Sequence, residues 1–214
     1  MGESHNLKII THNNPKSPVA EAYRILRTNL NFVALDKPFK TLLITSPGPV
    51  EGKSTTLANL GVAMAQAGMS TLIMDCDLRR PRQHRIFNLP NVKGFTNLLV
   101  NRGTASEEVT QDTEIPGLKV MTSGPIPPNP SELLASNQVK KVIEDIKDKF
   151  QLILIDSPPV VAVADAAILA SKVDGVIVVV RSQMTKQNLA SAAKSLLEKA
   201  NANIIGIEIG RAHV

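Results

Sequence analysis

Apolar residues fall along this chain in two rhythms, and the alternation between them predicts its architecture. Runs rich in isoleucine, leucine and valine cover 41–46, 71–74, 118–122, 152–155, 175–180 and 204–209. Several are continuous rather than alternating, as suits strands of a parallel sheet covered on both faces. Between the runs, apolar residues spaced three and four apart predict helices over 19–33, 54–67, near 96–101, 130–149, 162–171 and 186–200. Strand alternating with helix predicts an α/β fold, a doubly wound, mostly parallel central sheet with helices on both faces. Ligands of such sheets sit at the carboxyl ends of the strands. Turn and breaker signals at Asn13-Asn14-Pro15 and Ser17-Pro18 make 1–18 a flexible N-terminal arm, leaving 19–214 as a single domain.

The first predicted strand runs into a turn built from Pro47, Gly48, Pro49, Val50, Glu51 and Gly52, followed by Lys53-Ser54-Thr55. A loop of this kind turns several backbone N–H groups toward one point, and the following helix adds its N-terminal partial charge there. The point suits a triphosphate. Lys53 would set an ammonium between the outer phosphates, and the Ser54 hydroxyl would take a coordination site on Mg²⁺. The strict G-x-x-x-x-G-K-[ST] spacing is broken by Pro47, so the loop alone reads equally well as a surface turn before a helix.

Aspartates at two other strand ends tip that balance. Asp75 and Asp77 follow the second run and Asp156 ends the fourth. Aspartates there often cap helices or form turns. Three of them, with a Gly-Lys-Ser loop, point to a nucleotide site. Asp156 is expected to hold Mg²⁺ through its water shell, Asp75 to be a metal-proximal carboxylate and possible general base, and Asp77 to support the metal.

Composition narrows the partners. The formal charge of +5 admits nucleic acid, a membrane surface or an acidic protein, but aromatics are only 3%, so stacking platforms for bases are nearly absent and no nucleic acid is expected. Basic residues cluster at Arg79, Arg80, Arg82, His84 and Arg85, while Lys140, Lys141, Lys147 and Lys149 interleave with acids as on a solvated helix face. Cys76 is the only cysteine, so no internal disulfide forms; with no apolar run of membrane-spanning length and no signal sequence, a cytoplasmic protein is expected.

These residues resemble the bacterial P-loop protein-tyrosine kinases found with exopolysaccharide and capsule export systems. The carriers are Glu21-Ala-Tyr-Arg24-Ile-Leu-Arg27, the loop from Thr45 to Thr55, Asp75-Cys-Asp77-Leu-Arg79-Arg-Pro81, the proline-rich Gly124-Pro-Ile-Pro-Pro-Asn129-Pro130-Ser-Glu132-Leu133-Leu134, and Ile155-Asp156-Ser157-Pro158-Pro159. The proline-rich segment is the most discriminating, because partition and septum-placement ATPases of the same deviant P-loop fold lack it. The resemblance implies ATP or ADP and Mg²⁺ bound by Lys53, Ser54 and Thr55, with Asp75, Asp77 and Asp156 as the acidic set and Arg181 beside the nucleotide. It implies a ring-like homo-oligomer through Glu21, Arg24 and Arg27, protein tyrosine as substrate, and a membrane-embedded activator that recruits the chain to the inner face of the plasma membrane.

Three positions depart from the family pattern. Val50 stands where glycine is usual, and a β-branched residue resists positive φ, which predicts a distorted cradle. Glu208-Ile209-Gly210 occupies the neighbourhood of an adenine-contacting asparagine, and no tyrosine follows it. Val50 and the absence of tyrosine after the last strand favour a second reading, a nucleotide-switched ATPase that assembles without kinase chemistry, while the missing asparagine bears on base recognition.

Overall fold

The computed structural model describes residues 9–101 and 103–210. Its sheet, among the described residues, has seven strands in the order β3-β4-β2-β5-β1-β6-β7. These are β1 (Thr41–Thr45), β2 (Thr71–Asp75), β3 (Thr110–Asp112), β4 (Leu118–Met121), β5 (Leu152–Asp156), β6 (Gly175–Arg181) and β7 (Ile204–Gly210). Every pairing is parallel except β3 with β4, so the doubly wound sheet stands as expected.

The continuous apolar runs are explained by what covers them. Leu43, Met74, Ile153 and Ile155 point into one core, and Leu42, Ile44, Ile73 and Leu154 into the other. Successive strand residues face opposite sides, so a sheet buried twice needs apolar residues at every position. One side is covered by α2 (Pro18–Asp36) and α3 (Lys53–Gln66); the other by α5 (Phe95–Val100), α6 (Pro130–Ala135), α7 (Asn137–Lys147), α8 (Asp165–Ala170) and α9 (Gln187–Lys199). The lysine-rich stretch is the outer face of α7, whose Val139, Val142, Ile143 and Ile146 are buried.

Three local expectations change. Within the supposed arm, α1 (Ile10–Asn13) is docked: Ile9 and Thr11 are buried, and the Thr11 N–H and hydroxyl both donate to Asn59 Oδ1 at 3.0 and 2.9 Å. Residues 1–8 of that arm lie outside the described residues. The long helix expected over 130–149 is broken at Ser136, whose extended backbone (φ −60°, ψ 151°) separates α6 from α7. Between β2 and β4 the chain also forms the short helix α4 (Gln83–Ile86) and the antiparallel edge strand β3, too short and polar to carry a periodic signal.

The parallel register brings chemistry to one edge. Asp75 pairs with Asp156 across β2 and β5, and Ile44 of β1 pairs with Asp156 on its other side. All three strands end where the loop after β1 begins. The segment after β5 is fastened there, because Val160 N–H donates to Ser46 O at 2.9 Å and the Ser157 hydroxyl to Ile44 O at 3.1 Å. The proline-rich segment is anchored by a close backbone approach: a Cβ on Gly94 would lie 2.1 Å from Thr122 O and 2.3 Å from Gly124 N, so only glycine fits.

Candidate active site

The loop after β1 closes on α3 through Gly52, which caps the helix with φ 92°, a conformation that costs glycine nothing. Val50 takes φ 64° as well. The β-branch does not keep Val50 out of the left-handed region, so the strain is carried by an 84% exposed valine. The Ser46 hydroxyl donates to Gly48 O at 2.7 Å, and Gly48 N–H donates to Glu51 Oε1 at 3.2 Å, folding the loop back on itself.

Lys53 points from the first turn of α3 into a buried cluster. Its ammonium donates to Asp77 Oδ2 at 3.0 Å, Asp156 Oδ1 at 3.2 Å and Ser54 Oγ at 3.1 Å. Burial alone would lower the ammonium's pKa, but the charges of Asp156 and Asp77 outweigh it and hold it above its ordinary value. Lys53 is therefore a fixed cation, and removing it would leave two buried carboxylates without their counter-charge.

The three aspartates separate into different positions. Asp77 lines a cavity of about 360 Å³ together with Pro49, Lys53 and Ser54. Asp156 is fully buried against Lys53. Asp75 does not reach that cavity: Oδ2 accepts the N–H groups of Arg82 and Gln83 at 2.8 and 2.9 Å, and Oδ1 accepts that of Asp77 at 3.3 Å. Burial, then the neighbouring charge of Asp156, pushes its pKa up to about 7. Among the described residues no three His, Cys, Asp or Glu side chains gather as ligands of one ion.

Ser54 and Asp77 line the cavity, and Asp156 is buried against Lys53; the Ser54 hydroxyl with these two carboxylates is an oxygen-only set that fits a hard divalent cation held partly through water. A residue that the sequence did not disclose holds Asp156 in place. Gln83 is fully buried, and its Nε2 donates to Asp156 Oδ2 at 2.7 Å and to Ser54 O at 3.2 Å. Two acceptors facing one end fix the orientation of the amide, which leaves Oε1 buried without a partner. Nothing in the run Arg82-Gln83-His84-Arg85 marks the glutamine as different from a surface residue.

Arg181 lies on the other side of the loop. It lines a second cavity of about 520 Å³ with Tyr23, Glu51, Thr55 and Glu208. Val50, Glu51, Gly52 and Thr55 border both cavities, so the loop stands between a side bearing Lys53 and Asp77 and a roomier side at the ends of β6 and β7. On the latter, burial pushes the Glu208 carboxyl above its usual range.

Glu21, Arg24 and Arg27 sit along α2. Arg24 pairs with Glu21 at 2.7 Å and with the carbonyl of Pro15, and Arg27 donates to Ala63 O of α3 at 3.1 Å. Arg79, grouped by the sequence with the basic run, is instead held by the fully buried Asp165 at 2.8 Å and by the Ser131 hydroxyl at 2.8 Å. That bond ties the Asp77 segment to the start of α6. No helix among the described residues is long and apolar enough to cross a membrane.

Residues 45–205 match the family described as AAA domain. The chain is 40% identical over 205 residues to the tyrosine-protein kinase YwqD of Bacillus subtilis, covering 96% of this chain and 86% of that protein. It is 38% identical over 203 residues to the putative tyrosine-protein kinase CapB of Staphylococcus aureus, covering 95% and 89%. The chain belongs to the bacterial tyrosine-protein kinases. The crystal structure of the chimerical protein CapA2B2 superposes with a TM-score of 0.91 at 41% identity, covering 97% of this chain and 91% of that one. Family membership thus extends over the loop, the aspartates and the proline-rich segment alike.

Proposed function

We propose that this chain is an ATP- and Mg²⁺-dependent protein-tyrosine kinase that transfers the γ-phosphoryl group of ATP to the hydroxyl of a protein tyrosine. The observation that carries the reading is the buried bonding of Lys53 to both Asp77 and Asp156 at the floor of a cavity bordered by the phosphate loop. ATP would lie across the loop, with its phosphates toward Lys53 and its base toward the Arg181 cavity. Mg²⁺, held by Ser54, Asp77 and Asp156, would offset phosphate charge.

Phosphoryl transfer asks the protein mainly for positioning and charge stabilisation. Lys53 supplies a cation whose place is set by two carboxylates before any nucleotide arrives. The acceptor of the phenolic proton must reach the substrate, and of the aspartates Asp77 faces the cavity while Asp75 is engaged behind it. Asp75 then serves by fixing the turn through Arg82 and Gln83.

The wider setting follows from the same resemblance: a homo-oligomer formed through the helix bearing Glu21, Arg24 and Arg27, a cytoplasmic chain brought to the membrane by an activating partner, and a place in exopolysaccharide or capsule synthesis. Incubation with labelled ATP, Mg²⁺, a tyrosine-rich peptide and a partner-derived activating segment tests the central claim. Label on tyrosine, lost in Lys53→Ala, supports it. Release of phosphate with tyrosine never modified would give the chain to the nucleotide-switched ATPases instead.

A further inference from the structure

Three arginines of the basic run do something different from the fourth. Arg79 is taken up by Asp165, but Arg80, Arg82 and Arg85 are exposed and line the cavity that holds Lys53 and Asp77. Among the described residues none of these three takes part in an ion pair. The carboxylates beside their backbone are already committed: Asp77 accepts the Arg80 N–H at 2.9 Å and the Lys53 ammonium, and Asp75 accepts the N–H groups of Arg82 and Gln83. Their field is felt locally, since the imidazole of His84 is held below its ordinary range by burial and by the charges of Arg85 and Arg82.

Pro49, Ile86 and Pro159 add apolar surface to that cavity, which suits an aromatic ring better than further phosphate. A triphosphate already has the loop N–H groups, the start of α3 and Lys53. Arginines on the rim are left for a ligand that enters beside the nucleotide.

We propose that Arg80, Arg82 and Arg85 form a docking rim for aspartate and glutamate residues flanking the acceptor tyrosine, so that the preferred substrate is an acidic tyrosine segment. The inference rests on the kinase reading above and adds the class of peptide. Carboxylates on either side of the tyrosine pair with guanidinium groups around the mouth, and the ring passes between the prolines to the floor. Exposed pairs are individually weak and screened by salt, so recognition acts by their sum and is strongest at low ionic strength.

The test compares two peptides carrying the same tyrosine, one flanked by glutamate and aspartate and the other by glutamine and asparagine, with the full chain, its activating segment, ATP and Mg²⁺. The acidic peptide is expected to show a kcat/KM about tenfold higher at about 50 mM salt, the sum of three ordinary exposed pairs, and only a few-fold higher at about 300 mM. Replacing all three arginines by glutamine brings the acidic peptide down to the neutral one, and replacing them by lysine retains most of the preference. Equal labelling of both peptides by the wild-type chain overturns the docking rim and leaves the kinase reading standing. Label on neither peptide removes both. A rise in the KM for ATP in the glutamine variant, with the peptide preference intact, would assign the arginines to the nucleotide and also overturn it.

Discussion

Gln83 Nε2 lies 2.7 Å from Asp156 Oδ2, so a side chain of the short helix after β2 holds the carboxylate that ends β5. The same nitrogen reaches the Ser54 carbonyl, and the amide oxygen is buried without a partner. Gln83 therefore orients Asp156 and the Ser54 backbone, two of the groups expected to hold Mg²⁺. Partners that orient metal ligands commonly contribute ten- to hundredfold in affinity. Gln83→Leu is expected to weaken Mg²⁺ binding to the ADP complex by about tenfold or more, measured by calorimetry, while far-ultraviolet circular dichroism stays unchanged. Unaltered Mg²⁺ affinity would reduce the glutamine to a packing role.

Lys53 supports structure as well as chemistry. Its contacts with Asp77 and Asp156 are buried, and breaking such a set by removing one partner costs about 3–5 kcal/mol because the remaining charges stay desolvated. Lys53→Ala is expected to lower the melting temperature of the nucleotide-free chain. Added Mg²⁺, which supplies positive charge to the same carboxylates, should raise that temperature more in the variant than in the wild type. Tyrosine labelling should fall by about a thousandfold or more, since the cation stabilises charge in the transition state. A variant as stable as wild type without Mg²⁺ would contradict the buried triad.

Much of this site was legible in the chain because its signals are local. Lys53 and Ser54 announce themselves by the glycine before them, and Asp75 and Asp156 by ending apolar runs. What escaped is held by distance. Gln83 acquires its role only when β2 and β5 lie side by side. The division of labour between Asp75 and Asp77, two residues apart, depends on which one faces the cavity. Arg79 and Arg80 are adjacent and chemically identical, yet one meets Asp165 and the other meets solvent. The break at Ser136 carries no proline or glycine to mark it, and β3 is three residues with no apolar alternation, so pairing with β4 alone defines it.

Val50 carries a strain that a single substitution should relieve. A left-handed conformation costs an L-residue about 1–2 kcal/mol, and its 84% exposed side chain recovers little by packing. Val50→Gly is expected to stabilise the chain by about 0.5–1 kcal/mol once the greater freedom of glycine in the unfolded state is deducted. That corresponds to a rise of about 2–4 °C in the melting temperature at most for a chain of this size. ATP affinity should stay within a factor of a few, because Val50 already takes the positive φ that glycine adopts freely. A loss of stability would mean that the valine makes compensating contacts.

Asp174 offers an acid-side test remote from the nucleotide. Its Oδ2 accepts the N–H groups of Lys40 and Thr41 and the Thr41 hydroxyl, each at 2.9 Å, and Oδ1 accepts from Lys147 at 3.1 Å. Burial pushes its pKa up, but the donors from Lys40, Lys147 and Thr41 outweigh burial and hold the carboxyl below its ordinary value of 3.8. A group whose pKa is depressed on folding stabilises the native state above its unfolded pKa and loses that contribution as the pH falls through the folded value. The wild-type chain should therefore lose stability as acid is added below about pH 5. Asp174→Asn, which cannot ionise, should be less stable at neutral pH by about 1 kcal/mol, allowing for the partial exposure of the site. Because its own contribution does not titrate, the variant's stability curve should converge on that of wild type in acid. Denaturant unfolding from pH 7 down to pH 3 measures the difference. Parallel curves would mean that the carboxylate gains nothing from its four donors, and the start of β1 would then be held by backbone pairing alone.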